Sequence, residues 1–434
     1  MKYTTLLLAI LLTTGCGRFV IRYAEPADVL HPDIPAQASA CSDASSYLPD
    51  TTNLRATPIK YVRVNFHIMQ RLDGSSNFSE AQGIKFIHDL VQESNNRWAN
   101  NAHMNLPAGN NTPVIPTQVR IELVKDPYTG KDAIYFHRND SLCFFNKKAS
   151  RGYTALADKT VINTYHVGGD SVINIFLMEH VPDSTDSPTY GGPQLSGVSF
   201  IGDLKLFGMF YQSTTVKYRD DGTPFVHDMH YLSKLLNHEL GHSLGLHHTW
   251  NWNDGCDDTP QNPGCWSNTG VPPCDGLISN NMMDYNFDQQ AITPCQIATM
   301  QWYLYRDDQP VRKFAIPYWC DYHPDQKVYI SANAVETWDG GKDLWSDIIL
   351  RPGSVLIIRC TVALPAEAKV VIKPGAKLIL DGGTITNRCG DSWDGIEIWH
   401  NRKTDETGSL IMVNGGHVDN AEHFVEVAGD ATEE

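Results

Sequence analysis

The chain has 434 residues, and at roughly 100–200 residues per domain this length predicts two or three units. Hydrophobic residues make up 41% and charged residues 19%, and Asp plus Glu (50) outnumber Lys plus Arg (34), for a net charge of −16. That balance argues against a nucleic-acid binder, which needs clustered positive charge to displace counterions. The one long apolar run, Leu6–Leu12, falls short of the ~20 residues a spanning helix needs, which excludes a polytopic membrane protein.

In chain order, Lys2 and the run Leu6–Leu12 form a short leader, followed by Thr13-Thr14-Gly15-Cys16. This resembles a bacterial lipobox, although Thr13 stands where Leu is usual. It predicts a signal peptide over 1–15 and a lipid on Cys16, with ordinary secretory cleavage as the alternative. Either route exports the protein and permits disulfides. The lipid would anchor it to a membrane whose face the sequence does not reveal. Residues 16–55 are rich in Ala, Ser, Asp and Pro without a clear period, and read as a tether or pro-segment.

Regular structure is expected from Lys60, where Val62, Val64, Phe66 and Ile68 alternate as in a half-buried strand. Ser79 opens a helical stripe of Ile84, Phe86, Ile87, Leu90 and Val91. Val119–Val124 and Val172–Met178 read as further strands, and a second long helix is expected from about His230 to Leu246. The segment 56–315 is therefore a mixed α/β (α+β) unit. In the tail, 325–434, Arg351-Pro352-Gly353-Ser354-Val355-Leu356-Ile357-Ile358 recurs as Lys373-Pro374-Gly375-Ala376-Lys377-Leu378-Ile379-Leu380. Asp381-Gly382-Gly383-Thr384 is echoed by Asn414-Gly415-Gly416-His417. Such repeats predict a β-rich domain resembling a right-handed β-helix, with a small β-sandwich as the alternative.

The chemistry concentrates in Asn237-His238-Glu239-Leu240-Gly241-His242-Ser243-Leu244-Gly245-Leu246-His247-His248. On a helix His238 and His242 share one face, about 40° apart and ~6 Å along the axis. Both imidazoles then reach one ion at the ~2.0–2.1 Å zinc prefers. Glu239 sits beside the metal, where it can hold a metal-bound water and take its proton. Gly245 lets the chain turn back in a left-handed conformation, bringing His248 as third ligand and leaving one position open. Spacing selects His248 over its neighbour His247. Three ligands with an open position is the catalytic pattern, and an accidental match to the whole motif is expected on the order of 1 in 10^4. His67, His88, His137 and His417 are scattered and read as structural or surface residues.

HExxHxxGxxH is the signature of the metzincin metallopeptidases, and Asn280-Asn281-Met282-Met283-Asp284-Tyr285 resembles their Met-turn. The form of that turn is similar to the pappalysin family and its cytophagalysin-like bacterial members. So are Cys256-Asp257-Asp258-Thr259-Pro260 and Thr293-Pro294-Cys295-Gln296. The resemblance covers roughly 56–315 and implies a twisted mixed sheet with an active-site helix. It makes Met283 the apolar floor of the metal site and puts the phenol of Tyr285 near the metal. It also implies calcium, for which Asp254, Asp257, Asp258 and Thr259 offer oxygen ligands, a solvated acidic loop being the alternative.

Cys256, Cys265, Cys274 and Cys295 are expected to brace the loop before the Met-turn, paired as Cys256–Cys274 and Cys265–Cys295. A structural zinc is their alternative. Cys360 and Cys389 could pair in the tail. Some pappalysin-type zymogens are held latent by a pro-segment thiolate, a role open to Cys41, against a disulfide from Cys41 to Cys143 or Cys320.

The expected activity is that of an exported zinc endopeptidase with one catalytic zinc, acting on protein or peptide substrates. Val172–Met178 is the candidate edge strand for pairing with extended substrate. The competing expectation is a surface adhesin with an inactive or structural metal site. Its β-rich tail would bind glycans or protein through Trp338, Trp345, Trp393 and Trp399, unless these pack internally.

Overall fold

The computed structural model of the chain describes residues 18–37, 40–74, 77–105, 112–143, 148–149, 152–153, 159–178, 197–200, 202–207, 226–250, 254–259, 261–265, 267–276, 278–286 and 288–424. The chain divides into two compact units, one of Ser39–Tyr318 with Asp339–Leu344, the other of Met1–Ala38, Trp319–Trp338 and Trp345–Glu434. No helix among the described residues is long and apolar enough to cross a membrane. The leader and Cys16 lie outside the described residues.

The first unit is built on the eleven-residue strand Lys60–Gln70. Val62, Val64, Phe66 and Ile68 are fully buried on one face, and Asn65, His67 and Met69 on the other, so the strand is covered on both sides. His67 is a satisfied core residue. One ring nitrogen lies 2.9 Å from Asn174 Oδ1 and the other 2.9 Å from His137 Nε2, and burial pushes its pKa down to about 3.

Six strands form the sheet, in the order Val119–Leu123, Lys60–Gln70, Ile173–Met178, Asp203–Phe207, Gly197–Phe200, with Ile134–Arg138 also on Lys60–Gln70. All pairs are parallel except the last, where Gly197–Phe200 runs antiparallel to Asp203–Phe207. This corrects the expected edge strand. Ile173–Met178 is interior, flanked on both sides and buried at all six residues. Among the described residues the strand order ends at Val119–Leu123 on one side and at Gly197–Phe200 on the other.

The helix Glu80–Ala99 begins with a Ser79/Gln82 capping box and buries Phe86, Ile87, Leu90 and Trp98. Ile84, counted in the apolar stripe, is instead exposed. Gly83 faces the sheet in its place, so close that a Cβ there would lie 2.6 Å from Ile68.

The second unit is β-rich, and the 22-residue repeat is its ladder register. Leu356 stands opposite Leu378, 22 positions on, and Leu378 opposite Leu410, 32 positions on. Three parallel ladders result: Val328–Ile330, Ile348–Leu350, Lys369–Ile372 and Trp393–Asn401; Val335–Trp338, Val355–Ile358, Lys377–Asp381 and Ser409–Val413; and Thr361–Ala363, Thr384–Thr386 and His417–Val418. They do not make a closed solenoid. The longer second interval accommodates the hairpin from Trp393–Asn401 to Glu406–Thr407. Trp338 and Trp393 are buried inside this unit.

The segment expected to be irregular after residue 16 is also corrected. Phe19–Tyr23 pairs antiparallel with Trp393–Asn401, and Val29–Leu30 pairs in parallel with Ser409–Val413. Strands of five and two residues are too short to leave a readable period.

Candidate metal centre

The helix Val226–Ser243 carries His238, Glu239 and His242. It ends where Leu246 N donates to Gly241 O at 2.9 Å and Gly245 takes a φ of +94°. This is the left-handed stop read from the sequence. A Cβ at Gly245 would also lie 2.3 Å from the Tyr303 ring, so no side chain fits. The reversed chain delivers His248 to the helix face while His247 stays exposed.

The three Nε2 atoms converge. His248 Nε2 lies 2.9 Å from His242 Nε2 and 3.2 Å from His238 Nε2. Two ligands of a tetrahedral ion at zinc distances stand ~3.3 Å apart. The tautomers fit a cation as well. His238 Nδ1 donates to Met282 O (2.7 Å) and His242 Nδ1 to Leu246 O (2.9 Å), which leaves both Nε2 atoms as lone pairs. His248 can donate at most one proton into the cluster, so the convergence is short of positive charge. Burial and neighbouring imidazoles push His238 to about 3 and His248 to about 2, and burial lowers His242, so all three are neutral donors near pH 7. These three residues could hold a metal ion.

Glu239 is buried, with its carboxylate against Gly197 of the edge strand, where a Cβ would lie 2.5 Å from Oε1. Burial alone pushes its pKa up to about 8, and a cation on the imidazoles acts in the opposite direction. Ser199 Oγ and Ser243 Oγ, 2.9 Å apart, tie the same strand to the helix.

Met283 is fully buried beside the helix, and its Sδ would lie 2.4 Å from a Cβ on Gly241. Met282 is engaged elsewhere, its sulfur accepting from Trp98 Nε1 at 3.4 Å. Asn281 shapes the turn, accepting from Met283 N at 2.8 Å and donating to Gln296 at 2.8 Å. The Tyr285 ring lies 5.0 Å from that of His248 and 6.4 Å from that of His238, and it is 42% exposed, open to an incoming ligand.

Residues 212–305 match the family model Peptidase_M43, described as Pregnancy-associated plasma protein-A. That stretch is thus similar to the pappalysin family of metallopeptidases. No curated protein matches the chain. Among solved structures, mature mirolysin of Tannerella forsythia in complex with a cleaved peptide is 18% identical, with a TM-score of 0.38, covering 60% of this chain and 96% of that one. A promirolysin mutant from the same organism is 17% identical with a TM-score of 0.39, covering 60% of this chain and 86% of that one.

The matched stretch includes the cysteine-rich loop, whose expected connectivity is corrected. The bridges are Cys256–Cys295 and Cys265–Cys274, not Cys256–Cys274 and Cys265–Cys295. Asp258 explains the first bridge. Its carboxylate accepts from Thr293 Oγ1 (2.7 Å) and Cys295 N (3.0 Å) at the start of the helix Pro294–Tyr305, which draws Cys295 to Cys256. Asp254 accepts from the Thr259 hydroxyl and from Cys256 N, and Asp257 is exposed. Three of the four oxygen donors considered for calcium are thus engaged within the fold.

In the tail Cys389 bonds Cys320 rather than Cys360. Cys41 is itself in a disulfide, and an oxidised sulfur has no thiolate to offer a metal.

Sequence reasoning missed two neighbours of the site. Trp250, two residues past His248, stacks on its imidazole. Gly197 is the other, and its signal is that a glycine in a strand often marks close approach by another group.

Proposed function

We propose that this chain is an exported zinc-dependent endopeptidase that hydrolyses internal peptide bonds of proteins. The convergence of three neutral Nε2 atoms beside a buried Glu239 carries the reading. His238, His242 and His248 would hold the zinc. Bound there, zinc supplies Lewis acidity, which lowers the pKa of a water toward ~7 and polarises the scissile carbonyl. Glu239 accepts the proton of the attacking water and returns it to the leaving amine. Tyr285 is placed to donate its phenol to the oxygen on which negative charge develops. The strand Gly197–Phe200 offers backbone N–H and C=O groups for an extended substrate to pair with.

The leader ending at Cys16 supports export with a lipid anchor, and the disulfides fit an oxidising compartment. The stacked parallel ladders of the tail support a β-helix-like accessory scaffold. With Trp338 and Trp393 buried, the adhesin reading loses two of its four candidate sugar-stacking rings.

Zinc analysis and a protein-cleavage assay on wild type and Glu239→Ala test the proposal. Wild type is expected to hold one zinc and cleave, and the variant to keep the metal and lose roughly 10^2–10^4-fold in rate. Equal rates for the two zinc-loaded proteins would refute it.

A further inference from the structure

The three imidazoles are not oriented in the same way. His238 and His242 each fix their ring through Nδ1 on a backbone carbonyl. This is the usual outer support of a metal-binding histidine. No hydrogen bond holds Nδ1 of His248 among the described residues. A flat stack stands in its place: the Trp250 ring lies 3.9 Å from the His248 ring with an interplanar angle of 19°. The same indole meets the Tyr285 ring at 3.9 Å and 38°.

Trp250 is backed in turn by Gly264, where a Cβ would lie 3.5 Å from the indole. Gly264 adjoins Cys265, whose bridge to Cys274 closes that part of the loop. The contacts run from a cross-linked loop through one indole to both the third imidazole and the phenol.

We propose that Trp250 is the positioning residue of this centre, setting the plane of His248 for the metal and the place of Tyr285 by ring stacking. The inference rests on the zinc-peptidase reading and adds a residue to it. An indole suits the task because its wide rigid face fixes a ring plane without competing for the metal. A leucine is smaller and, though apolar, sets no plane.

Zinc affinity by chelator competition separates the cases on wild type, Trp250→Phe, Trp250→Leu and Trp250→Ala, with the melting temperature of each zinc-free protein as the control for folding. The Leu and Ala variants are expected to bind zinc about 10–100-fold more weakly, with Phe recovering most of the loss and the zinc-free melting points of Phe and Leu staying alike. Among the variants that retain activity, kcat is expected to fall more than KM rises, because Tyr285 is displaced along with the imidazole. Wild-type affinity in the Leu variant would overturn the role of Trp250 while leaving the zinc site intact. Wild type that binds no zinc would instead overturn the peptidase reading on which it rests.

Discussion

Glu239 rests on a residue with no side chain. A methyl group on Gly197 would stand 2.5 Å from Oε1 and 2.8 Å from Cδ, well inside van der Waals contact, so the carboxylate would have to give way. A displacement of ~1 Å at a reacting group can cost 10^2-fold in rate. Gly197→Ala is therefore expected to lower kcat/KM by about that factor while zinc content stays at the wild-type value. Steady-state kinetics with metal analysis on the same sample would show it, and a rate within about 3-fold of wild type would mean that Glu239 finds another productive rotamer. The sequence reveals Glu239 and conceals Gly197 for a simple reason. The spacing of His238, Glu239, His242 and His248 is local to one helix and its exit turn, whereas the contact of Gly197 with Glu239 joins positions 42 apart across a strand edge.

Between secondary elements the strongest test lies in a buried ionic cluster. Asp343, whose side chain is fully buried, pairs with Lys60 at the start of the long strand and with Arg312 of the turn Pro310–Phe314, whose Nη2 donates to Asp343 Oδ1 at 3.1 Å. Breaking a buried pair from one side is strongly destabilising, and here it takes from Lys60 and Arg312 the buried carboxylate they share, with Asp307, 3.5 Å from Arg312, staying in place. Asp343→Ala is expected to destabilise the first unit by about 3–5 kcal/mol, read from the urea midpoint. A loss below about 1 kcal/mol would show that water reaches the cluster. Local pattern revealed the strand at Lys60, the capped helix after Ser79 and the stop at Gly245. It did not settle which strand forms the edge, which depends on partners far apart in the chain, although the nearly unbroken apolar run of Ile173–Met178 suits an interior strand better than the short, Gly- and Ser-bearing Gly197–Phe200. The disulfides were hidden likewise, because the Cys256–Cys295 pairing follows from how Asp258 caps a helix 35 residues further on.

For the whole molecule, the consequential finding is that the first described residues belong with the last. Phe19–Tyr23 and Val29–Leu30 occupy outer positions on ladders built from the far end of the chain. Removing residues 18–30 would bare the edges of Trp393–Asn401 and Ser409–Val413, and open strand edges recruit other chains. The truncated protein is expected to self-associate in light scattering at concentrations where the full chain is monodisperse. A truncated chain that stays monodisperse would show these strands to be dispensable. The 22-residue repeat announced the ladders, but no repeat could announce strands supplied by a segment outside it.

The cross-links also determine what a cut does to this molecule. Cys256–Cys295 encloses the loop ahead of the Met-turn, and Cys320–Cys389 spans 69 residues of the tail. A peptidase is exposed to its own copies and to others of its kind, and its loops are where they cut first. A single nick inside either ring severs the backbone without dividing the molecule, because both new ends remain covalently attached through sulfur. Such a protein can carry internal scars and still be one piece, which separates damage to the chain from loss of the enzyme.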